Sequence, residues 1–341
     1  MADRNDDSSA RRQEEDRIAL ESGDLPQSVK DRLLSQTSSG TRLFSSTLSV
    51  KEYLSTRSTG VLPLGQVMGT AFITMPQDKK ALQQYVGRQN PGLISSITAT
   101  SLRGLTTSGG YGQPVCGELD DLTYGRLEAR RLAITRMAQE AQMLGASGII
   151  AVRTQKRFHD WGGRRTLEFT VMGTAIRVPE MNRSAPFTSL LTGQEFCQLW
   201  NAGFEPMGIA LGACTYTDCT DTTSIYQRNY NQEVVAYTNC FYEARKQAMT
   251  AFMHDLRKLR AAGAVGMEID YEFEDAESEV EVSEGVEVKF LHLITHFAVM
   301  GTAIARRPGF VNQPKPRPTV VYDLRKAGAA EVDFAQKGPM K

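Results

Sequence analysis

Five residues recur three times in this chain: Val67-Met68-Gly69-Thr70-Ala71, Val171-Met172-Gly173-Thr174-Ala175 and Val299-Met300-Gly301-Thr302-Ala303. A divergent fourth copy is Ala210-Leu211-Gly212-Ala213-Cys214. Each lies in a short apolar run of strand character. The chain therefore contains one unit written twice, with two such strands in each. The register extends beyond the strands. Phe44 to Tyr53 aligns without gaps on Phe187 to Phe196, and Gly60, Pro63, Gly65 and Gly69 then fall on Gly203, Pro206, Gly208 and Gly212. Further on, Glu128-Ala129-Arg130 matches Glu243-Ala244-Arg245, and Leu144-Gly145-Ala146 is matched to Ala262-Gly263-Ala264.

The duplication sets the domain reading. Residues 1–40 read as a flexible tail with one short amphipathic helix, begun by Pro26 and marked by Leu25, Val29 and Leu33. Residues 41–180 form the first unit, 185–307 the second, and 308–341 a Pro-rich arm with strand character at Thr319 to Leu324. Each unit opens with a short helix whose start carries a capping box, Ser49-x-x-Glu52 or Thr192-x-x-Glu195. Strand one follows, through Leu64 to Ile73 and Met207 to Thr217. Next comes a segment in which the copies diverge; in copy one it holds a possible strand, Leu93 to Leu102, and a Gly-rich loop, Ser108 to Pro114. That loop lacks the spacing of a phosphate cradle.

A long helix comes next, with Leu127, Ile134, Met137, Ala141 and Leu144 on one face in copy one, and Met249, Phe252, Leu256 and Leu259 in copy two. Gly145 and Gly263 are read as the helix ends. Two strands joined by a hairpin complete the unit. In copy two, Met267, Ile269, Tyr271 and Phe273 alternate with Glu268, Asp270, Glu272 and Glu274, which reads as a half-buried strand with one wet, acidic face. The fold class expected is α+β: two tandem β-α-β-β units, each preceded by a short helix, with small, mostly antiparallel sheets. Glycine in the middle of four equivalent strands weakens each of them, so it points to a close approach by a helix or neighbouring backbone. Gly69, Gly173, Gly212 and Gly301 are accordingly candidate contact residues for packing and assembly.

These motifs resemble those of YbjQ-like domains. The match is best in copy two, in Glu243-Ala-Arg245, Ala262-Gly-Ala264, Ile269-Asp-Tyr-Glu272 and Val299 to Ala303. Copy one matches in Glu128-Ala-Arg130, Leu144-Gly-Ala146 and Val171 to Ala175, and departs at Val152-Arg-Thr-Gln155. The resemblance covers residues 60–178 and 203–306. It implies a β-α-β-β unit similar in plan to dodecin subunits and assembly into pentameric rings, and it carries a heavy-metal-binding label.

The chemistry legible in the side chains is sparse. Metal candidates are His292 and His296, with Cys214 and Cys219; the two histidines share a strand face about 13 Å apart at ~3.3 Å per residue, too far for a single ion with bonds of ~2 Å. A site between subunits is the remaining way to gather ligands. The acidic run that includes Glu277 and Glu279 lacks the loop grammar of a calcium site. The equivalent hairpin of copy one is basic, with Lys156, Arg157, Arg164 and Arg165 and with Trp161 at its tip. Opposite charge at equivalent positions suggests that the two hairpins face each other across copies or chains. No elbow motif or spaced His partner marks a nucleophile among the Ser and Cys residues. With Lys+Arg and Asp+Glu both at 39, the balance gives no general reason for nucleic-acid binding.

No apolar run is long enough to span a membrane, the N-terminus lacks the apolar core of a signal peptide, and five scattered cysteines suit reduced thiols in a cytoplasm. The expected function is a non-catalytic, cytoplasmic homo-oligomer, a scaffold or compartment component, without a cofactor and with a possible protein partner at its N-terminal tail. The alternative is a small-ligand or metal-binding protein with sites between subunits.

Overall fold

The structure, a computed structural model, describes residues 3–38, 45–75, 117–162, 164–179, 181, 183–221, 231–283 and 286–310, with 320–321 and 332–333; side chains at 3–10, 36–38, 219–221, 276–290 and beyond 310 are outside the description. The possible strand at 93–102 and the Gly-rich loop at 108–114 lie outside the described residues. Residues 1–306 form one compact unit and 307–341 another.

Copy one runs α3 (Val50–Ser58), β1 (Leu62–Met75), α4 (Asp120–Met143), β3 (Gly148–Trp161) and β4 (Arg164–Arg177). Copy two repeats it as α5 (Gly193–Asn201), β6 (Phe204–Asp221), α6 (Val235–Lys258), β7 (Gly263–Ser283) and β8 (Val286–Arg306). Two short strands are added, β2 (Gly117–Glu118) and β5 (Phe187–Thr188). This is the α+β architecture, with two four-stranded, mostly antiparallel sheets. Both capping boxes form, with Ser49 and Thr192 each accepting from the backbone of the glutamate three residues on and the glutamate answering at the cap. In the smaller unit, β9 (Val320–Val321) pairs antiparallel with β10 (Val332–Asp333).

The strand glycines receive a direct explanation. A Cβ on Gly69 would lie 2.0 Å from the Ala133 carbonyl oxygen, and one on Gly212 would lie 2.2 Å from that of Ala248. The backbones of α4 and α6 therefore rest on bare strand. Gly173 is closed over by Ile149 and Val152, and Gly301 by Phe252 and Met267. All four glycines are buried inside their own copies, at packing contacts. The helix ends are corrected. Gly145 has φ 67 after α4, but its counterpart is Arg260, at φ 54; Gly263 opens β7.

Residues 1–40 carry two helices instead of one: α1 (Asp3–Glu21) and α2 (Gln27–Ser38). α1 has no apolar stripe to announce it. α2 buries Leu33 against α4, where Arg32 pairs with Glu140 at 3.0 Å.

The units stack in layers. α4 covers the β1–β4–β3 sheet on one side, and on its other side it meets the back of the β6–β8–β7 sheet, whose Leu211, Ile294 and Met300 join its core. α6 then covers the far face of that second sheet.

Candidate functional site: the seam between the two copies

The copies meet through different faces. On copy one the contact is a ledge of β3 beside α4; on copy two it is the back of the second sheet, where β6 and β8 give the apolar contacts and β7 the carboxylates. This is a head-to-tail contact within one chain. Each copy also caps one sheet edge of the other. β5, which opens copy two, lies parallel on β3, and β2, just before α4, lies antiparallel on β6. Ala151 and Val152 donate their backbone amides to Leu191 O and Ser189 O at 2.8 and 3.1 Å, and Leu119 N donates to Thr215 O at 2.8 Å. Ala151 can present its amide because it takes φ 52 at a bulge, where its counterpart Gly266 has φ 60.

The centre of the seam is ionic. Arg126 and Arg130 are one turn apart on α4, which aims both at β7. Arg126 donates to Glu272 at 2.8 Å and to Glu274 at 3.3 Å, while Arg130 donates to Asp270 at 2.9 Å. From β3 and β4, Lys156 reaches Asp270 at 2.6 Å and Glu272 at 2.8 Å, and Arg165 reaches Glu274 at 2.9 Å. The guanidinium groups of Arg126 and Arg165 also sit over the Phe158 ring, at 5.4 and 4.2 Å. Burial lowers Arg130 to about 10. Burial works to raise Glu274, but His296, 3.5 Å away, and the nearby Arg165 and Arg126 overcome this and hold it at about 2. Beside these pairs lies a cleft of about 420 Å³ lined by Arg130, Lys156, Phe169, Asp270 and Met300 among others.

The acidic face of β7 is thus turned into the seam, and the expectation of a wet acidic face is overturned. The apolar alternates are on the other side: Met267, Ile269, Tyr271 and Phe273 are 44 to 56% exposed. Alternation reveals which residues share a strand face; it does not reveal which face meets the neighbour.

The sequence-derived candidates divide. Arg165 meets copy two at Glu274. Arg164 is exposed beside Trp161, its register partner, and Trp161 stacks on His159 at 4.5 Å. Glu277 and Glu279 lie in β7 beyond the described side chains. His292 and His296 are buried on the back of the second sheet, where His296 contacts Thr215 at 3.0 Å. Cys214 lies on the opposite face, in the core under α6, and burial pushes its thiol up. Cys219 is opposite His292 in register, with its side chain outside the description. Among the described residues no three His, Cys, Asp or Glu side chains are placed to hold a metal ion, and no helix is long and apolar enough to cross a membrane. Sequence reading misses Arg126, Arg130 and Asp270 as partners; the Ala-Arg motif and the alternating carboxylates are the available signals.

The copy that supplies the cationic half of the seam also carries a family match. Residues 92–179 match the family described as "Putative heavy-metal-binding". The YbjQ-like match thus falls on copy one. Over 256 residues the chain is 28% identical to a protein of Mycobacterium tuberculosis named as an encapsulin nanocompartment protein, covering 73% of this chain and 84% of that one. No solved structure matches the chain significantly.

Proposed function

We propose that the chain is a non-catalytic, cytoplasmic building block that assembles with copies of itself into a closed oligomer, a scaffold or compartment shell. The observation that carries this reading is the head-to-tail seam. A contact made by two different faces leaves one of each kind open at the ends of the chain, and such contacts propagate until a ring closes. The likeness to a protein named for a nanocompartment, and to a ring-forming domain family, supports closure over an open filament. The non-catalytic part is supported by the chemistry of the seam, where cations and carboxylates are matched to one another. Native mass spectrometry of the full chain tests the reading. A discrete multiple of 37.7 kDa is expected; a chain that stays at 37.7 kDa at micromolar concentration overturns it.

A further inference from the structure

We infer that the joint between chains repeats the joint within the chain, so that the open ledge of copy two receives the exposed back of copy one from the next molecule and the copies alternate around the assembly. This rests on the assembly reading above and adds which surfaces meet.

The chain contains its own control. Every position that the internal seam covers in one copy has a counterpart in the other. Ledge residue Val152 is 2% exposed, while its counterpart Met267 is 44% exposed. Thr154, Lys156 and Phe158, partly buried in the seam, correspond to exposed Ile269, Tyr271 and Phe273. On the back face, buried Thr215 corresponds to exposed Phe72. One joint is filled and its equivalent is empty.

The sheet edges repeat the pattern. In each sheet one outer strand is capped by a short segment of the other copy, while β1 and β7 are the outer strands without such a cap among the described residues. The segment equivalent to the β5 region is already in place. Thr47 N donates to Thr174 Oγ1 at 3.0 Å, just as Leu190 N donates to Thr302 Oγ1 at 2.9 Å. Residues 46–48 are therefore held as 189–191 are, and the outer edge of β7 at Gly266 and Met267 is the counterpart of the edge that 189–191 occupies. The next chain supplies the missing strand by β-addition.

Charge fixes the order. The empty ledge is aromatic, with Phe241 5.5 Å from Tyr271 and 6.1 Å from Phe273. Phe241 stands where Arg126 stands in copy one, and Tyr271 stands where Lys156 stands. Their partners, Glu272 and Asp270, correspond to Arg157 and Gln155 on the back of copy one. Repeating the joint places Arg157 of the next chain against the rings of Phe241 and Tyr271, a cation–π contact in place of an ion pair. The cationic ledge of copy one would repel a back face bearing Arg153 and Arg157, so two first copies do not mate. Alternation puts two copies per chain into each ring. A ring of five copies is excluded, whereas one of five chains is not.

The test uses full-length Tyr271→Lys and Arg157→Glu, both at exposed positions, with circular dichroism to confirm folding. Each variant alone is expected to fall from the wild-type mass to 37.7 kDa. Mixed in equal amounts, they are expected to regain it. In the mixture the lysine introduced in one variant meets the glutamate introduced in the other at one joint, and Tyr271 meets Arg157 at the next. If either folded variant alone keeps the wild-type mass, or the mixture does not reassemble, this joint is wrong while the assembly reading stands. A wild-type chain that is itself monomeric overturns both.

Discussion

Met68 and Leu211 occupy the same position in the two copies, and only Leu211 is covered: it is 5% exposed where Met68 is 44% exposed. Their backbones are held alike. Met68 N donates to Glu140 and Leu211 N to Asp255, at 3.0 and 2.9 Å, each acceptor lying on its own unit's long helix. The local fold is thus common to both copies, and the difference lies in what packs on top.

Adding one methyl at the two closest strand–helix approaches is expected to be severe. Gly69→Ala and Gly212→Ala each drive a Cβ into helix backbone, which cannot rotate away. Each should lose about 3 kcal/mol or more by overpacking, read as a lower urea midpoint. Gly65→Ala, which meets only the Leu144 side chain at 3.8 Å, should stay within about 1 kcal/mol.

Those glycines also show what a sequence yields. Their recurrence in four strands, where they are individually unfavourable, identifies both the duplication and a close approach. The capping boxes are equally legible, because every bond in them joins residues three apart. Relations that depend on a partner are not. β2 and β5 are two residues each, too short for any periodicity, and they exist because an edge of the other copy receives them. β7 reads inside out because its carboxylates face cations supplied from more than 100 residues away.

Arg126 carries the interior of the seam. Its side chain is 6% exposed and spans Glu272 and Glu274. Arg126→Met should cost about 3 kcal/mol, since it leaves two half-buried carboxylates short of charge. A double-mutant cycle with Glu272→Gln should return a coupling of at least about 1 kcal/mol; additivity would show the pair to be independent.

Acid should weaken the fold in two stages. Burial pushes His296 down to about 4, against 6.5 in the unfolded chain. The unfolded state therefore binds the extra proton first, and stability falls as pH drops from 6.5 towards 4. Glu274, held at about 2 against 4.5, contributes stability that is lost as pH falls from 4.5 towards 2. Thermal melts of His296→Gln between about pH 7 and pH 4 should show a flatter decline than the wild type.

Leu33 is the most deeply buried of the contacts that hold the N-terminal pair of helices, alongside Leu25 and the Arg32–Glu140 pair. Leu33 is 1% exposed, packed on the core around α4. Leu33→Ala should abolish amide-exchange protection in residues 27–38 and leave α4 protected, because the deleted contact lies at the edge of the unit. Loss of protection in both would make the pair integral to copy one.

The two copies are tethered in one chain and meet at a seam with an ionic centre, whereas the ledge proposed to meet another molecule is aromatic. Tethered partners meet at an effective concentration on the order of millimolar, so the ion pairs of the seam are left to set alignment and supply little of the attraction. In the proposed assembly separate molecules have no tether, and the surface facing them would gain about 25 cal/mol for each Å² of apolar area removed from water. With joints of the two kinds proposed, a change at Tyr271 would touch alternate joints only. An assembly of such chains could come apart into intact two-domain pieces, and strength between molecules could drift without disturbing the fold of any one of them.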